Sequence, residues 1–181
     1  MILSDSELVE MLREPRTRRE GFAVLVKQYS EKLYWKVRRI VLSHEDANDV
    51  LQNVFIKVWS NLQNFQGKSS LSTWLYRIAI NESLDFLRKQ KLGDKVSADE
   101  DVYVASWLMS DEYFDGDEVQ ARLQEAVARL PEVQRTVFNL KYFEEMKYSE
   151  MSQILNTSEG ALKASYHLAV KKITEYLHLF D

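Results

Sequence analysis

The sequence predicts an all-α protein built as two small helical domains, the first of three to four helices and the second a helix-turn-helix domain, joined by a flexible acidic linker. Three observations carry that prediction. Apolar residues recur at three- and four-residue spacing along most of the chain, the period of an amphipathic helix. Only 5 Gly and 2 Pro punctuate the 181 residues, and no segment shows a defensible two-residue strand period. The helical period fails over one stretch, residues 92–117, where acidic residues gather. The expected organisation is therefore 1–91, 92–117 and 118–181.

Taken in order, Phe22, Leu25, Val26, Tyr29, Leu33, Val37 and Ile40 predict the first long helix. Ala47, Val50, Leu51, Val54, Phe55, Val58 and Leu62 predict the second. A break at Phe65-Gln66-Gly67-Lys68 precedes a third over residues 70–89, with Gly67 for the turn and Ser70 or Ser72 as cap. After the linker, Val119, Leu123, Ala126, Val127 and Leu130 open a further helix. Pro131 suits the first turn of the next, which runs to about Phe143. Segments 149–155 and 158–179, separated by Asn156-Thr157 and with Ser158 as N-cap, predict two helices across a tight polar turn.

Composition narrows the function. A 45% hydrophobic and 12% aromatic chain has enough apolar surface for a core, so it is expected to fold. With no cysteine it has no disulfide, thiolate metal site or cysteine nucleophile, and the expected setting is cytoplasmic. No apolar run approaches the roughly 20 residues of a membrane span, and the first ten residues lack a signal-peptide pattern, so the protein is expected not to be membrane-embedded. The net charge of −4 has the wrong sign for bulk binding to nucleic acid. Its distribution nonetheless leaves room for DNA contact: from Lys91 to Gln120 nine acids face two lysines, which leaves the rest of the chain at +3.

Three surfaces emerge from helical wheels. Opposite the core stripe of the second helix lie Asp49, Gln52, Asn53 and an outward Ile56, readable either as a scattered surface apolar residue or as the anchor of a protein-docking face. The third helix puts Ser70, Trp74, Arg77, Asn81 and Arg88 on one stripe, with Phe65 just ahead of it. A stacking ring, an amide and two guanidiniums suit an opened nucleic-acid strand, but the stripe reads equally as a core tryptophan beside solvated arginines. The last helix turns Leu162, Tyr166, Ala169, Val170, Ile173 and Leu177 inward. It leaves Gly160, Lys163, Ala164, His167 and Lys171 outward, either an ordinary solvated face or one that fits a major groove.

Together these segments resemble the extracytoplasmic-function (ECF) sigma factors of bacterial RNA polymerase, across nearly the whole chain and in the right order. The run 46–59, Asp-Ala-Asn-Asp-Val-Leu-Gln-Asn-Val-Phe-Ile-Lys-Val-Trp, is similar to the family's polymerase-binding helix. The resemblance implies that Asp46, Asp49, Gln52, Asn53, Ile56 and Lys57 meet core RNA polymerase. The Phe65-Gln66-Gly67 loop and Ser72-Thr73-Trp74-Leu75-Tyr76-Arg77-Ile78-Ala79-Ile80-Asn81 resemble the loop and helix that melt the minus-ten promoter element. That implies promoter DNA contacts for Phe65, Gln66, Lys68, Ser70, Trp74, Arg77, Asn81 and Arg88.

Leu130-Pro131-Glu132, Tyr148-Ser149-Glu150-Met151 and 158–163 resemble the family's helix-turn-helix for the minus-thirty-five element. There Ser158, Gly160, Lys163, Ala164, His167 and Lys171 would face DNA. Typical members carry arginines where this helix has Ala164-Ser165 and Leu168, which implies weaker or differently directed DNA affinity. An anti-sigma factor is a further implied partner, and the acidic linker would fit the family's connector. No cofactor is implied. A stand-alone helix-turn-helix regulator is the rival class. An enzyme has little support, because His44, His167 and His178 are scattered and no phosphate loop or nucleophile motif occurs.

Overall fold

The computed structural model describes residues 2–92 and 116–180, which fall in two separate units. Most of the acidic linker, including Tyr103, Val104, Trp107, Leu108 and Met109, lies outside the described residues. No described residue is in a strand.

The first unit begins with a helix that the apolar period does not announce, α1 (Asp5–Arg13). Its nine residues bury only Leu8 and Leu12, too few to stand out as a pattern. Its start is nonetheless written in the sequence as a capping box: Ser4 Oγ accepts the Glu7 N–H while the Glu7 carboxylate accepts the Ser4 N–H at 2.8 Å. The Ser4 hydroxyl, donating to the Glu7 carboxylate at 2.7 Å, and then the Ser4 N–H hold that exposed carboxyl below its ordinary range. The α1 helix lies on α2 (Arg18–Val41), and Gly21 is the close approach. A Cβ built there would sit 2.8 Å from Met11 Cβ. Tyr29 donates its phenol hydrogen to Asp5, and Gln28 bonds both the N–H and the C=O of Leu3, so α2 holds the chain start at three points.

The predicted stripe of α2 is buried at Leu25, Tyr29, Leu33, Val37 and Ile40, whereas Phe22 and Val26 are half-buried at its edge. Next comes α3 (His44–Asn61), capped by Ser43 Oγ accepting from the Asp46 N–H, with Glu45 and Asp46 suited to the positive end of the helix dipole. Ala47, Val50, Val54 and Val58 are buried, and Leu51 and Phe55 are half-buried. A short 3-10 turn (Leu62–Asn64) leads to Gly67 at φ +70, a left-handed position that glycine occupies without a Cβ penalty. The chain then enters α4 (Leu71–Leu92), with Ser70 as the residue ahead of the helix, its Oγ accepting the Thr73 N–H. Leu71, Leu75, Ala79, Ile80, Leu84 and Leu87 close the core, and α1, α3 and α4 all pack on α2.

The second unit holds α5 (Glu118–Ala128), α6 (Glu132–Phe138), α7 (Tyr148–Leu155) and α8 (Glu159–Leu177). Pro131 directly precedes α6, which continues through a π-helical turn (Asn139–Phe143), so the expected end near Phe143 holds with a change of winding. Ala126, Val127, Leu130, Phe138, Ala169 and Ile173 form the core. Phe138 stacks on Tyr142 and Tyr166, with ring planes within 15° and 16° of parallel. Burial, then the neighbouring Tyr148 and Tyr142, pushes the Tyr166 phenol above its ordinary range.

Val119 lies on α5 as expected and is 70% exposed, because it falls in the first turn, ahead of the point where Ala121 becomes covered. One apolar assignment needs correction. Val170 is 38% exposed, because at about 100° per residue it sits well off the line through Leu162, Ala169 and Ile173.

Candidate protein and nucleic-acid interfaces

On α3, the residues between the buried valines point outward. Asp49, Gln52, Asn53, Ile56 and Lys57 are exposed, and Asp46 is half-buried. Ile56 is 60% exposed, an isolated aliphatic among polar neighbours. One turn on lies Trp59, 42% exposed, its ring meeting Phe22 edge-on at 5.0 Å. The face is therefore an Ile56–Trp59 pair at i, i+3, wider than the helical wheel alone suggests; that spacing was the available signal. Lys57 is ion-paired with Glu82 of α4, so this cation braces α3 against α4.

The loop after α3 and the start of α4 bring Phe65 and Trp74 together, with ring centroids 5.1 Å apart. Both rings are half-buried, so Trp74 is neither a core residue nor fully in water. Gln66 and Lys68 are exposed on the loop, and Arg77 and Asn81 are exposed one turn apart on α4. Ser70 is committed locally: besides capping α4 it donates to Thr73 Oγ1 at 2.8 Å. Arg88 lies further along and pairs with Asp85 at 2.8 Å, a solvent-exposed pair of small energetic weight. Beside the loop is a cavity of about 450 Å³, walled by Asp5, Glu10 and Arg13 of α1 and by Phe65, Gly67 and Ser70. No sequence pattern announces it, because it arises where a short N-terminal helix meets a loop some fifty residues later.

In the second unit, α7 ends at Asn156, whose left-handed φ 50 and ψ 46 turn the chain within two residues. Ser158 then caps α8, its Oγ accepting the Ala161 N–H at 3.2 Å. Gly160, Lys163, Ala164, His167 and Lys171 are all exposed on α8, as the wheel predicts. A Cβ on Gly160 would meet nothing within 4 Å, so packing does not require glycine there. The Lys163 ammonium lies 5.6 Å from the centroid of the Tyr148 ring, which also receives Lys141 at 4.8 Å. Leu168, 47% exposed, shares this outer side.

Sequence comparison matches a segment of each unit to a known region. The Sigma-70 region 2 family model matches residues 25–92, and the Sigma-70 region 4 model matches residues 120–173. The ECF RNA polymerase sigma factor SigW of Bacillus subtilis is 32% identical over 157 residues, covering 82% of this chain and 84% of that protein. The chain belongs to the ECF sigma factor family. The RNA polymerase sigma-H factor of Pseudomonas aeruginosa is 30% identical, covering 96% of this chain and 93% of its own.

Two solved structures share the fold. CnrH, in complex with the cytosolic domain of CnrY, matches with a TM-score of 0.60 at 19% identity, over 98% of this chain and 96% of that one. The sigma factor RpoE of Bartonella quintana, in complex with the anti-sigma factor NepR, matches with a TM-score of 0.66 at 22% identity, over 88% and 98%. In this sigma factor the α3 face and the loop with α4 lie inside the region 2 match, and the exposed α8 residues lie inside the region 4 match. The α1 helix, which supplies one wall of the cavity, precedes both. Among the described residues no helix is long and apolar enough to cross a membrane.

Proposed function

We propose that the chain binds core RNA polymerase through the α3 face of Asp46, Asp49, Gln52, Asn53, Ile56 and Lys57. It then holds the opened minus-ten element on Phe65, Gln66, Lys68, Ser70, Trp74, Arg77, Asn81 and Arg88. The α7–turn–α8 unit engages the minus-thirty-five element with Ser158, Gly160, Lys163, Ala164, His167 and Lys171. The observation that carries this reading is the Phe65–Trp74 pair beside exposed Arg77 and Asn81, within the segment matched to region 2. A half-exposed aromatic pair offers bases a stacking surface, the amide can pair with a base edge, and the guanidinium can meet a phosphate.

On this reading residues 1–91 and 118–181 are the two DNA-engaging domains and 92–117 connects them. Function uses binding energy alone: promoter strands separate because unpaired bases gain partners on the protein, with no covalent step and no catalytic residue. The chain acts in the cytoplasm, where polymerase works. An anti-sigma partner is part of the proposal, supported by the complexes that CnrH and RpoE form with CnrY and NepR.

The test is transcription from a promoter pool by core polymerase with and without the purified chain. Initiation at a defined promoter set only when both are present supports the reading. Tight duplex binding without polymerase, and no initiation with it, would favour a stand-alone regulator.

A further inference from the structure

Across the first three turns of α8, the exposed face carries a line of hydrocarbon. Ala161, Ala164 and Leu168 are all exposed and stand at i, i+3 and i+7, one side of a helix whose other side is buried through Leu162, Ala169 and Ile173. Leu168 is the largest of them, 47% in water. The helix contains no arginine, and the single lysine of its first three turns, Lys163, lies over the Tyr148 ring. Lys171 and Lys172 follow at the far end, flanking the line with positive charge that suits the backbone phosphates.

In a major groove these groups have one good match. Guanine is read by bidentate Arg or Lys, and adenine by Asn or Gln, whereas a methyl-bearing or aliphatic side chain meets the 5-methyl group of thymine. The N-terminal turns of the second helix are the part of a helix-turn-helix that reaches base edges. We infer that this chain selects its minus-thirty-five element through thymine methyl groups, contacted by Ala161, Ala164 and Leu168, with Leu168 the main specificity residue. The inference rests on the helix-turn-helix reading above and names the base chemistry that this helix takes.

Holoenzyme assembled from the full chain and core polymerase is used to select elements from a pool randomised at the minus-thirty-five position. The selected thymines are then replaced by deoxyuridine, which removes only the methyl, with deoxyuridine in the spacer as the control. The expected result is a thymine-rich element and a loss of about fourfold per contacted methyl, in line with burying one carbon. Leu168→Ala, a surface change whose folding is checked by circular dichroism, should bind the thymine promoter at the reduced level and lose most sensitivity to deoxyuridine. A guanine-rich element, or equal binding of thymine and deoxyuridine promoters by the wild type, overturns the inference. So does a folded Leu168→Ala holoenzyme that keeps the full discrimination between thymine and deoxyuridine promoters. If no element is enriched at this position, the helix-turn-helix reading itself fails and the inference falls with it.

Discussion

Phe65, on the loop after α3, and Trp74, in the first turn of α4, hold their rings 5.1 Å apart with planes tilted at 48°. In the proposed role the two rings form one aromatic wall before any DNA arrives. Such preorganisation lowers the ordering cost of capturing an unstacked base. Arg77 and Asn81 continue from this wall along the exposed side of α4.

Removing part of that surface should cost promoter opening. Trp74→Ala and Asn81→Ala are each expected to reduce open-complex formation roughly tenfold or more, the scale of one lost base stack or base-edge contact. Permanganate reactivity of the opened strand measures this, while core polymerase binding stays at the wild-type level. Loss of polymerase binding in both variants would sink the assignment of this face to DNA.

The crossing of α1 and α2 admits no side chain at Gly21. Gly21→Ala would place a Cβ 2.8 Å from Met11 Cβ, an atom fixed to the backbone that cannot swing aside. Overpacking of this kind costs about 1–3 kcal/mol. Thermal melting should show it, and an unchanged melting temperature would contradict so close a crossing.

The chain start is also tied by the Tyr29 phenol donating to Asp5. Burial first, and then this bond, raises the Tyr29 phenol well above its ordinary range near pH 10. A raised phenol favours the neutral form in the folded state, so its contribution is complete below about pH 10 and fades as pH climbs toward the folded value. Tyr29→Phe should therefore cost about 1 kcal/mol at pH 8. The gap between variant and wild type in melting experiments should narrow above pH 10; a gap that widens with pH would reverse the sign.

Much of this was legible from the residues. Long helices with repeated apolar faces, such as that of Leu25, Leu33 and Val37, declare themselves, and so does the Asn156-Thr157 turn before a capping serine. The α1 helix escaped because two leucines make no period, although Ser4 and Glu7 spelled its start. Val170 failed as a core residue because being apolar does not fix an angle on the helix. The cavity beside Phe65 depends on which elements meet, and local pattern does not carry that information.

The central claim is that the chain works as a subunit of RNA polymerase, docked through α3. Gel filtration of the purified chain with core polymerase, beside Ile56→Glu, tests it most directly, because Ile56 is 60% exposed and a charge there leaves the fold intact. Co-elution of the wild type with polymerase, and failure of a folded Ile56→Glu variant to co-elute, is the predicted result. Failure of both to co-elute, with tight binding of the wild type to duplex DNA alone, would contradict it.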